Sequence, residues 1–520
     1  MDQENKLSIN EAPQRKYVYS VPQIAFAWLS LLLGYLVCRV YPAQMHPLGG
    51  FLLTVTAFVL TGAVLLVQKV KIPPMAVAAA IAAVVVSLGL ILSENYFLNG
   101  LSSIFSAASY CYFLYAAQGN ALENGFSNLI FADYFKALFL LPFQSLLRIF
   151  GALFQGKAKT GLKILGKIFA GICIAAIPTM IIFLLLSYDD GFREILDKLF
   201  QADDAVFASH LGSFLLGIPI GMYIFGLFFS SGQGLCRNRI TLTGCRNAYQ
   251  KAKILPQLTA LTAIAPVLFL YVVFFISQWQ YYISGFTGVL PEDFSYAEYA
   301  RQGFFELCAV SVVNLVLLMG LVLFVKRGSK NNAPMLKLLS VVLCLFTLVL
   351  ISTAVAKMVL YIDQFGLTQK RVYAMWLMVV IGCVYIIIAV GQFVPKIKPV
   401  AASATVCVVL FAALCLCNVR GMIAQYNVDR YLSGTLETVD LYAMEELEDS
   451  AIPALVRLAE ETKEEQPEFY DELTEFLYSR AYSLALKEAT LGTDIFDFTF
   501  PAYQARNALK DYWPEITTED

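Results

Sequence analysis

The sequence predicts an all-α, polytopic helical membrane protein with about 11 transmembrane helices and a small helical C-terminal domain. The chain is 58% hydrophobic and only 15% charged, with a mean hydropathy of +0.66. A soluble protein of 520 residues needs a more polar surface than this. The apolar residues are also collected into runs long enough to cross a bilayer as helices.

Charge is distributed unevenly along the chain and divides it into three regions. The net charge is only -2, yet residues 420-520 contain 22 acidic and 8 basic residues, which leaves the remainder net basic. We therefore predict a cytoplasmic N-terminal segment at 1-21, a transmembrane domain at 22-418 and an acidic extracytoplasmic helical tail at 419-520.

The transmembrane domain contains eleven apolar runs of about 17 to 25 residues, the length of a membrane-spanning helix. The first run lacks a small-residue cleavage site and is expected to remain as a span. We place the spans at 22-40, 48-67, 73-92, 100-118, 164-187, 208-231, 256-278, 302-325, 338-360, 373-394 and 399-418.

A further apolar segment, 129-150, is predicted to form one helix in the membrane interface, with its apolar side toward lipid. Its charge-free core is too short to span. On a helix, its polar residues share about a third of the circumference. Those residues are Asp133, Lys136, Gln144 and Arg148.

The positive charges predict the orientation, because basic loops remain in the cytoplasm. With the N-terminus inside, almost every basic cluster falls on the inner side, including Lys396 and Lys398. The outer loop 188-207 has six acidic residues and two basic ones. An odd number of spans then places the tail outside, where two amphipathic patterns, 438-462 and 466-490, predict a helical hairpin.

Known catalytic and metal-binding motifs are absent from the sequence, so we predict no catalytic residue, cofactor or metal. The eleven cysteines lie mostly in apolar runs and are expected to pack there. Nucleic acid is not an expected partner, because no folded basic domain accompanies the basic loops. Four lysines beside the interfacial segment fit positive-inside retention, or binding of an anionic lipid. They are Lys157, Lys159, Lys163 and Lys167.

Ionisable and polar residues at the outer ends of the spans form a candidate polar site. They are Arg301, Glu306, Lys357, Tyr361, Asp363, Thr368 and Arg371. Two interpretations remain open: ordinary ion pairs with snorkelling side chains, or a pocket for an anionic headgroup, sugar or peptide. Lys370 and Arg371 depart from the positive-inside pattern, and their expected partners are Glu306 and the acidic tail.

The run YIDQFGLTQKRVYAMW resembles the Y-x-x-x-[FY]-G-L-T-x-x-R signature of related bacterial families of polytopic membrane proteins labelled only as domains of unknown function. AEYARQGFFELCAVSVVNLVLL and NVDRYLSG are similar to further stretches of these families. The resemblance implies a multi-pass protein of the bacterial cytoplasmic membrane, and it implies no reaction. It marks a set of residues in three stretches: Tyr361, Gly366, Leu367, Thr368 and Arg371, then Ala300, Arg301, Gly303, Phe304, Phe305 and Glu306, and the tail residues Asn427, Arg430 and Tyr431.

The expected function is that of a non-enzymatic cell-envelope protein, which senses or scaffolds through the outer polar site and the tail. The alternative is a transporter or a lipid-linked transferase that uses the outer charges. A transporter should contain an inverted repeat and a cavity at the membrane midplane. The expected partner is the lipid bilayer, with an anionic lipid or an envelope component as the ligand.

Overall fold

The helices of the computed structural model follow the apolar runs of the sequence. The described residues are 17-41, 46-123, 125, 127-155, 205-235, 240-277, 304-326, 333-492 and 494-513, with isolated positions between 171 and 191. In chain order their α-helices are α1 (Val21–Val40), α2 (Pro47–Val67), α3 (Pro74–Leu92), α4 (Tyr96–Ala117), α5 (Ile130–Phe135), α6 (Leu141–Gln144), α7 (Arg148–Leu153), α8 (Ala205–Gln233), α9 (Leu242–Ala252), α10 (Gln257–Ser277), α11 (Phe304–Phe324), α12 (Ala333–Phe365), α13 (Gln369–Phe393), α14 (Pro399–Leu416), α15 (Val419–Leu432), α16 (Leu441–Glu445), α17 (Ile452–Thr462), α18 (Pro467–Leu491) and α19 (Phe500–Ala508).

Nine of these described helices are long and apolar enough to cross a membrane: α1, α2, α3, α8 and α10 to α14. They coincide with nine of the predicted spans and confirm an all-α, polytopic architecture. A helix is the expected form, because it satisfies its own backbone hydrogen bonds in lipid. The predicted span 100-118 forms α4, whose serine and tyrosine side chains make it more polar than the nine. Most of the predicted span 164-187 lies outside the described residues.

The described chain divides into two compact units, the first of which contains α1, α6, α7 and α8. Helices α1 and α8 cross at glycines: a Cβ atom at Gly34 would lie 2.1 Å from the Gly217 carbonyl oxygen. The rings of Phe26 and Phe228 stack at 3.8 Å between the same two helices. Small residues permit this close approach, and van der Waals contact then holds the helices together.

The second unit contains the first part of α2 up to Phe58, together with α3, α4, α5, α9 to α14 and the tail. Helices α3 and α4 form a hairpin, and α14 packs against α3 where Gly89 meets Cys415. Helices α10 to α13 share an apolar core around Leu343, Ala354 and Met378. These helices carry the polar groups predicted to form the outer site.

The tail has its own core and rests on the ends of membrane helices of the same unit. Ile423, Leu455 and Leu473 meet in this core, which continues to Leu98 of α4 and Leu414 of α14. Burial of about 25 cal/mol per Å² of apolar surface stabilises such a contact. The tail is therefore packed directly against the helix ends, with no linker between them.

The predicted helical hairpin of the tail is present, but its first helix is interrupted. Helices α17 and α18 pack together on either side of the predicted turn. The expectation of one helix at 438-462 was wrong, because α16 ends at Glu445 and a 3-10 turn, Glu448–Ala451, precedes α17. Glu448 has a φ of 52°, which a continuous α-helix through this position would not allow.

The expectation of one continuous helix at 129-150 was also wrong. The segment is divided into α5, a π-helical turn (Lys136–Leu140), α6 and α7. Asp133 and Lys136 are buried inside the protein and do not form a water-facing side. Asp133 Oδ1 accepts a hydrogen bond from the Tyr115 hydroxyl at 2.7 Å, and Lys136 Nζ donates to a backbone carbonyl oxygen at 3.2 Å. The spacing of polar residues shows that a helix has a polar face, but it does not show whether that face lies toward water or toward the rest of the protein.

Candidate functional site

The chain reverses between α12 and α13 in a short turn at the centre of the predicted outer site. Helix α12 ends at Phe365, Gly366 has a φ of 73°, and α13 begins at Gln369. Glycine adopts this left-handed conformation without the steric cost that a side chain adds. Thr368 occupies the N-cap position of α13 with extended backbone, although its hydroxyl makes no capping hydrogen bond.

The side chain of Asn427, in α15 of the tail, holds this turn by its backbone. Asn427 Oδ1 accepts a hydrogen bond from the Leu367 N–H at 2.7 Å, and its Nδ2 donates to the Leu367 carbonyl oxygen at 2.9 Å. A Cβ atom at Gly366 would lie 2.6 Å from Asn427 Oδ1, so glycine also makes room for the amide. We call this contact the Asn427 clamp. It joins the GLT and NVDR motifs, which are 60 residues apart in sequence.

Beside the clamp, Arg430 of the tail pairs with Asp363 of α12. Arg430 Nη1 lies 3.0 Å from Asp363 Oδ1. Its Nε and Nη2 donate at 3.0 Å to the hydroxyl and the carbonyl oxygen of Thr435. Because 58% of the Asp363 side chain is exposed, the ion pair adds little stability. The bonds to Thr435 fix the direction in which the guanidinium points.

Arg371 is held by the end of α12. Its guanidinium lies 4.0 Å from the ring centroid of Tyr361 and donates hydrogen bonds to the carbonyl oxygens of Phe365 and Gly366. These carbonyl groups form the negative end of the helix dipole, which favours a cation. The expected acidic partner is missing: within the described part of the chain, no carboxylate forms an ion pair with Arg371.

Lys357 and Glu306 form a neighbouring charge pair. Lys357 lies one turn before Tyr361 on α12 and is only 1% exposed. Glu306, in the first turn of α11, is exposed and close enough to interact electrostatically with Lys357. Arg301 lies outside the described residues. The predicted residues that surround the turn itself are Tyr361, Asp363, Thr368 and Arg371, with Asn427 and Arg430 from the tail.

Other predicted residues lie away from the turn or cannot be placed. The Tyr431 hydroxyl donates to Gln466 Oε1 at 2.7 Å, and its ring contacts Phe469, so Tyr431 joins two helices inside the tail. The lysines proposed to bind anionic lipid lie outside the described residues. They are Lys157, Lys159, Lys163 and Lys167.

A second polar junction, which sequence reasoning missed, lies between the α3–α4 turn and the tail. Two ion pairs belong to the tail: Arg420 with Glu448 at 3.1 Å, and Arg480 with Asp449 at 2.6 Å. Glu94, from the α3–α4 turn, is a third carboxylate, close enough to interact electrostatically with Asp449, Glu448 and Arg420. We call these five residues the Glu94 cluster.

Glu94 is the carboxylate that the two arginines do not pair with. Its Oε1 accepts a hydrogen bond from the Thr499 hydroxyl at 2.8 Å. Its Oε2 is buried and has no hydrogen-bond partner among the described residues. Burial, reinforced by the negative charge of Asp449, raises the pKa of Glu94 from 4.5 to about 7. A signal was available in the sequence, since Glu94 is the only charged residue between Lys71 and Glu123.

A third polar feature joins the four helices α10 to α13 near the middle of their lengths. Asn314 Oδ1 accepts a hydrogen bond from the Tyr271 hydroxyl at 2.7 Å, and its Nδ2 donates to Thr347 Oγ1 at 2.9 Å. The Tyr385 hydroxyl donates to the backbone carbonyl oxygen of Ser311. Neutral polar groups such as these hold helices together in lipid. The sequence search considered ionisable residues and therefore missed this network.

One group of side chains has the composition of a metal site. His46, Asp494 and Asp497 offer ligand atoms that lie within 4.8 Å of one another. Hydrogen bonds already explain their positions, because His46 Nδ1 lies 2.6 Å from Asp497 Oδ1 and Asp494 Oδ1 accepts from the Phe496 N–H at 2.9 Å. We therefore treat the group as a contact between the α2 entrance and the tail.

Comparison with known proteins identifies the family of the chain. No curated protein and no solved structure matches the chain. A family model described as a domain of unknown function, DUF4153, matches residues 80-458. This range includes Glu94, the turn at Gly366 and the Asn427 clamp. Because the match covers more than half of the 520 residues, the chain belongs to the DUF4153 family.

Proposed function

We propose that the protein is a non-enzymatic protein of the bacterial cell envelope that senses or scaffolds through its tail. The observation that supports this proposal is the Asn427 clamp, in which a tail side chain holds the backbone between two membrane helices. A ligand or partner that displaces the tail would therefore also move the ends of α12 and α13. Coupling of this kind needs a contiguous set of contacts, and the clamp supplies it.

The proposed orientation has the N-terminus in the cytoplasm and the tail outside the cytoplasmic membrane. The basic loops support this orientation. Contacts between three predicted inner loops support only that these loops share one side of the membrane, since Glu123 lies 3.0 Å from Lys398 and 3.8 Å from Arg246. The outer ligand would be an anionic lipid or another envelope component that reaches the turn around Gly366.

Cysteine labelling in intact cells tests the orientation. Tyr442 is the most exposed tail aromatic residue, and Lys396 is an exposed residue of a predicted inner loop. We expect Tyr442→Cys to react with a membrane-impermeant maleimide above the wild-type background, and Lys396→Cys to react only after permeabilisation. The reverse pattern would place the tail in the cytoplasm and exclude an extracytoplasmic sensor.

Complementation tests the coupling. In a strain that lacks the protein, we expect greater sensitivity to detergents and antibiotics that act on the envelope, and rescue by the wild-type chain. Asn427→Ala should rescue poorly. Asn507→Ala removes a hydrogen bond within one exposed tail helix and should rescue fully. Full rescue by Asn427→Ala at wild-type abundance would contradict a function that depends on the clamp.

The alternative is a transporter or lipid-linked transferase that uses the outer charges. The buried Lys357, next to Glu306, is the observation that favours it. In this case Lys357→Gln and Glu306→Gln would abolish rescue, whereas Asn427→Ala would retain it. Proteoliposomes containing the purified protein would also accumulate solute or modify a lipid-linked substrate.

A further inference from the structure

The last part of the tail exposes a run of large apolar side chains. They are Ile495, Phe496, Phe498, Phe500 and Tyr503. Ile495 is 71% exposed, and the five residues lie within nine positions of one another. Exposed large apolar side chains that lie this close together in the chain are typical of a contact with a partner or with a membrane. The tail core does not cover these side chains.

Two hydrogen bonds fix the height of this run relative to the membrane helices of the same unit. Asp497 Oδ1 lies 2.6 Å from His46 Nδ1, and His46 immediately precedes the spanning helix α2. The Thr499 hydroxyl donates to Glu94 Oε1 at 2.8 Å, and Glu94 lies in the turn that follows the spanning helix α3. With a helical rise of about 1.5 Å per residue, both contacts lie within a few ångströms of a helix end.

The neighbouring end of α4 exposes aromatic side chains at the same level. Tyr96 and Phe97, its first two residues, are 70% and 69% exposed. Aromatic residues collect where the hydrocarbon of a bilayer meets its headgroups. The apolar run of the tail therefore lies level with exposed aromatic side chains of the kind that occupy a lipid boundary.

We propose that residues 495-503 are a membrane anchor, with the aromatic side chains inserted among the headgroups of the leaflet on the tail side. The partner is the lipid interface itself. Continuity with the ends of α2, α3 and α4 favours lipid over a second copy of the chain. The anchor would hold the tail against the bilayer whether the tail senses or scaffolds, so it goes beyond the proposed function.

Fluorescence quenching by brominated lipids tests the anchor in the full-length protein in lipid nanodiscs. Phe496→Trp and Phe498→Trp place a reporter in the run, and the wild-type signal is subtracted for the native tryptophans. Glu475→Trp is the matched control. It lies on the side of α18 opposite Leu473 and Leu477, which face the tail core.

We expect lipids brominated near the headgroup to quench the two anchor reporters at least about twofold more than the control, because interfacial side chains enter only about 5–10 Å of the bilayer. Lipids brominated near the chain ends should quench them less. Quenching equal to that of Glu475→Trp in both anchor variants would overturn the proposal. An emission that shifts when two copies share a nanodisc, without lipid quenching, would overturn it in favour of self-association.

Discussion

The tail is attached to the membrane helices by two polar junctions of different chemistry. At the Gly366 turn, the Asn427 clamp uses a neutral amide and backbone groups, and each partner satisfies the other. At the α3–α4 turn, the Glu94 cluster places three carboxylates beside two arginines, and one buried carboxylate oxygen has no hydrogen-bond partner among the described residues. The first junction has the same charge at any physiological pH. The second gains or loses a proton.

The two junctions therefore differ in how they respond to pH. A neutral side chain bound to backbone groups has no protonation state to change, so the hydrogen bonds of the clamp do not depend on pH in the physiological range. A half-buried cluster with excess negative charge changes its stability when one group takes up a proton. Solution conditions can therefore loosen the α3–α4 junction while the clamp stays closed.

Gly366→Ala is expected to have the largest effect, because it opens the clamp. The left-handed φ costs about 1–2 kcal/mol for a residue with a side chain. Displacing Asn427 leaves backbone groups unpaired, which costs about 1–3 kcal/mol more. Thermal unfolding in detergent should report a destabilisation of roughly 3 kcal/mol.

Gly434→Ala is the control for Gly366→Ala. Gly434 has a φ of 70°, but among the described residues no atom lies within 4 Å of a Cβ atom built there. Gly434→Ala should therefore lower the free energy of unfolding only by the cost of the left-handed backbone conformation, about 1 kcal/mol. Equal losses at the two glycines would mean that the approach of Asn427 contributes nothing.

The attachment of the tail at the α3–α4 turn should weaken as the pH rises. The pKa of Glu94 is raised from 4.5 to about 7 in the folded protein. Protonated Glu94 therefore stabilises the attachment of the tail fully below pH 4.5, and this stabilisation is lost as the pH rises to about 7. The full change is on the order of 3 kcal/mol, at about 1.4 kcal/mol per pKa unit.

Hydrogen exchange of α19 and of the α3–α4 turn between pH 5 and 8, corrected for intrinsic exchange rates, measures this attachment. Glu94→Gln should remove most of the pH dependence. It should also protect these segments above pH 7, where the wild-type carboxylate is charged. Parallel pH profiles for the wild type and Glu94→Gln would show that another group is responsible.

Asn427→Ala should lower the free energy of unfolding by about 2 kcal/mol, because it leaves the Leu367 N–H and carbonyl groups without their partner. Limited proteolysis at the 433-440 loop, followed by mass spectrometry, would detect the loosened tail. Asn507→Ala should leave the cleavage rate unchanged. Cleavage as slow in Asn427→Ala as in the wild type would argue against the clamp.

Asp363→Asn should have the smallest effect, about 0.5 kcal/mol, because the ion pair with Arg430 is exposed and screened by salt. The loss should disappear in unfolding measurements at high ionic strength. Asp429→Asn, which removes a comparable exposed pair with Arg457, gives the reference value. A loss above about 2 kcal/mol would mean that Asp363 is the main contact at this junction.

Sequence reasoning predicted the spans well and the contacts poorly, for a physical reason. A long apolar run has few structural alternatives in a bilayer, so nine spans appear at their predicted positions. The motif residues around Gly366 were also predicted. Their partners were not, because the prediction paired charge with charge, whereas Arg371 binds carbonyl oxygens and the tail attaches through an amide.

The remaining errors concern direction and distance. The polar spacing of Asp133 and Lys136 predicted an amphipathic helix, but not that this polar side turns inward. Glu94 and Arg420 are 326 residues apart, and nothing local to either one indicates the other. Periodicity describes one element at a time, whereas these contacts depend on how elements assemble.

The Asn314 network has a consequence for how the chain enters the membrane during synthesis. Helices emerge in chain order, so α10 delivers the Tyr271 hydroxyl before Asn314 arrives in α11. Thr347 in α12 then accepts a hydrogen bond from the side-chain Nδ2 of Asn314. Helices α11, α12 and α13 each find a polar partner in a helix that was synthesised before them. These hydrogen bonds can therefore form one after another, in the order in which the helices are synthesised.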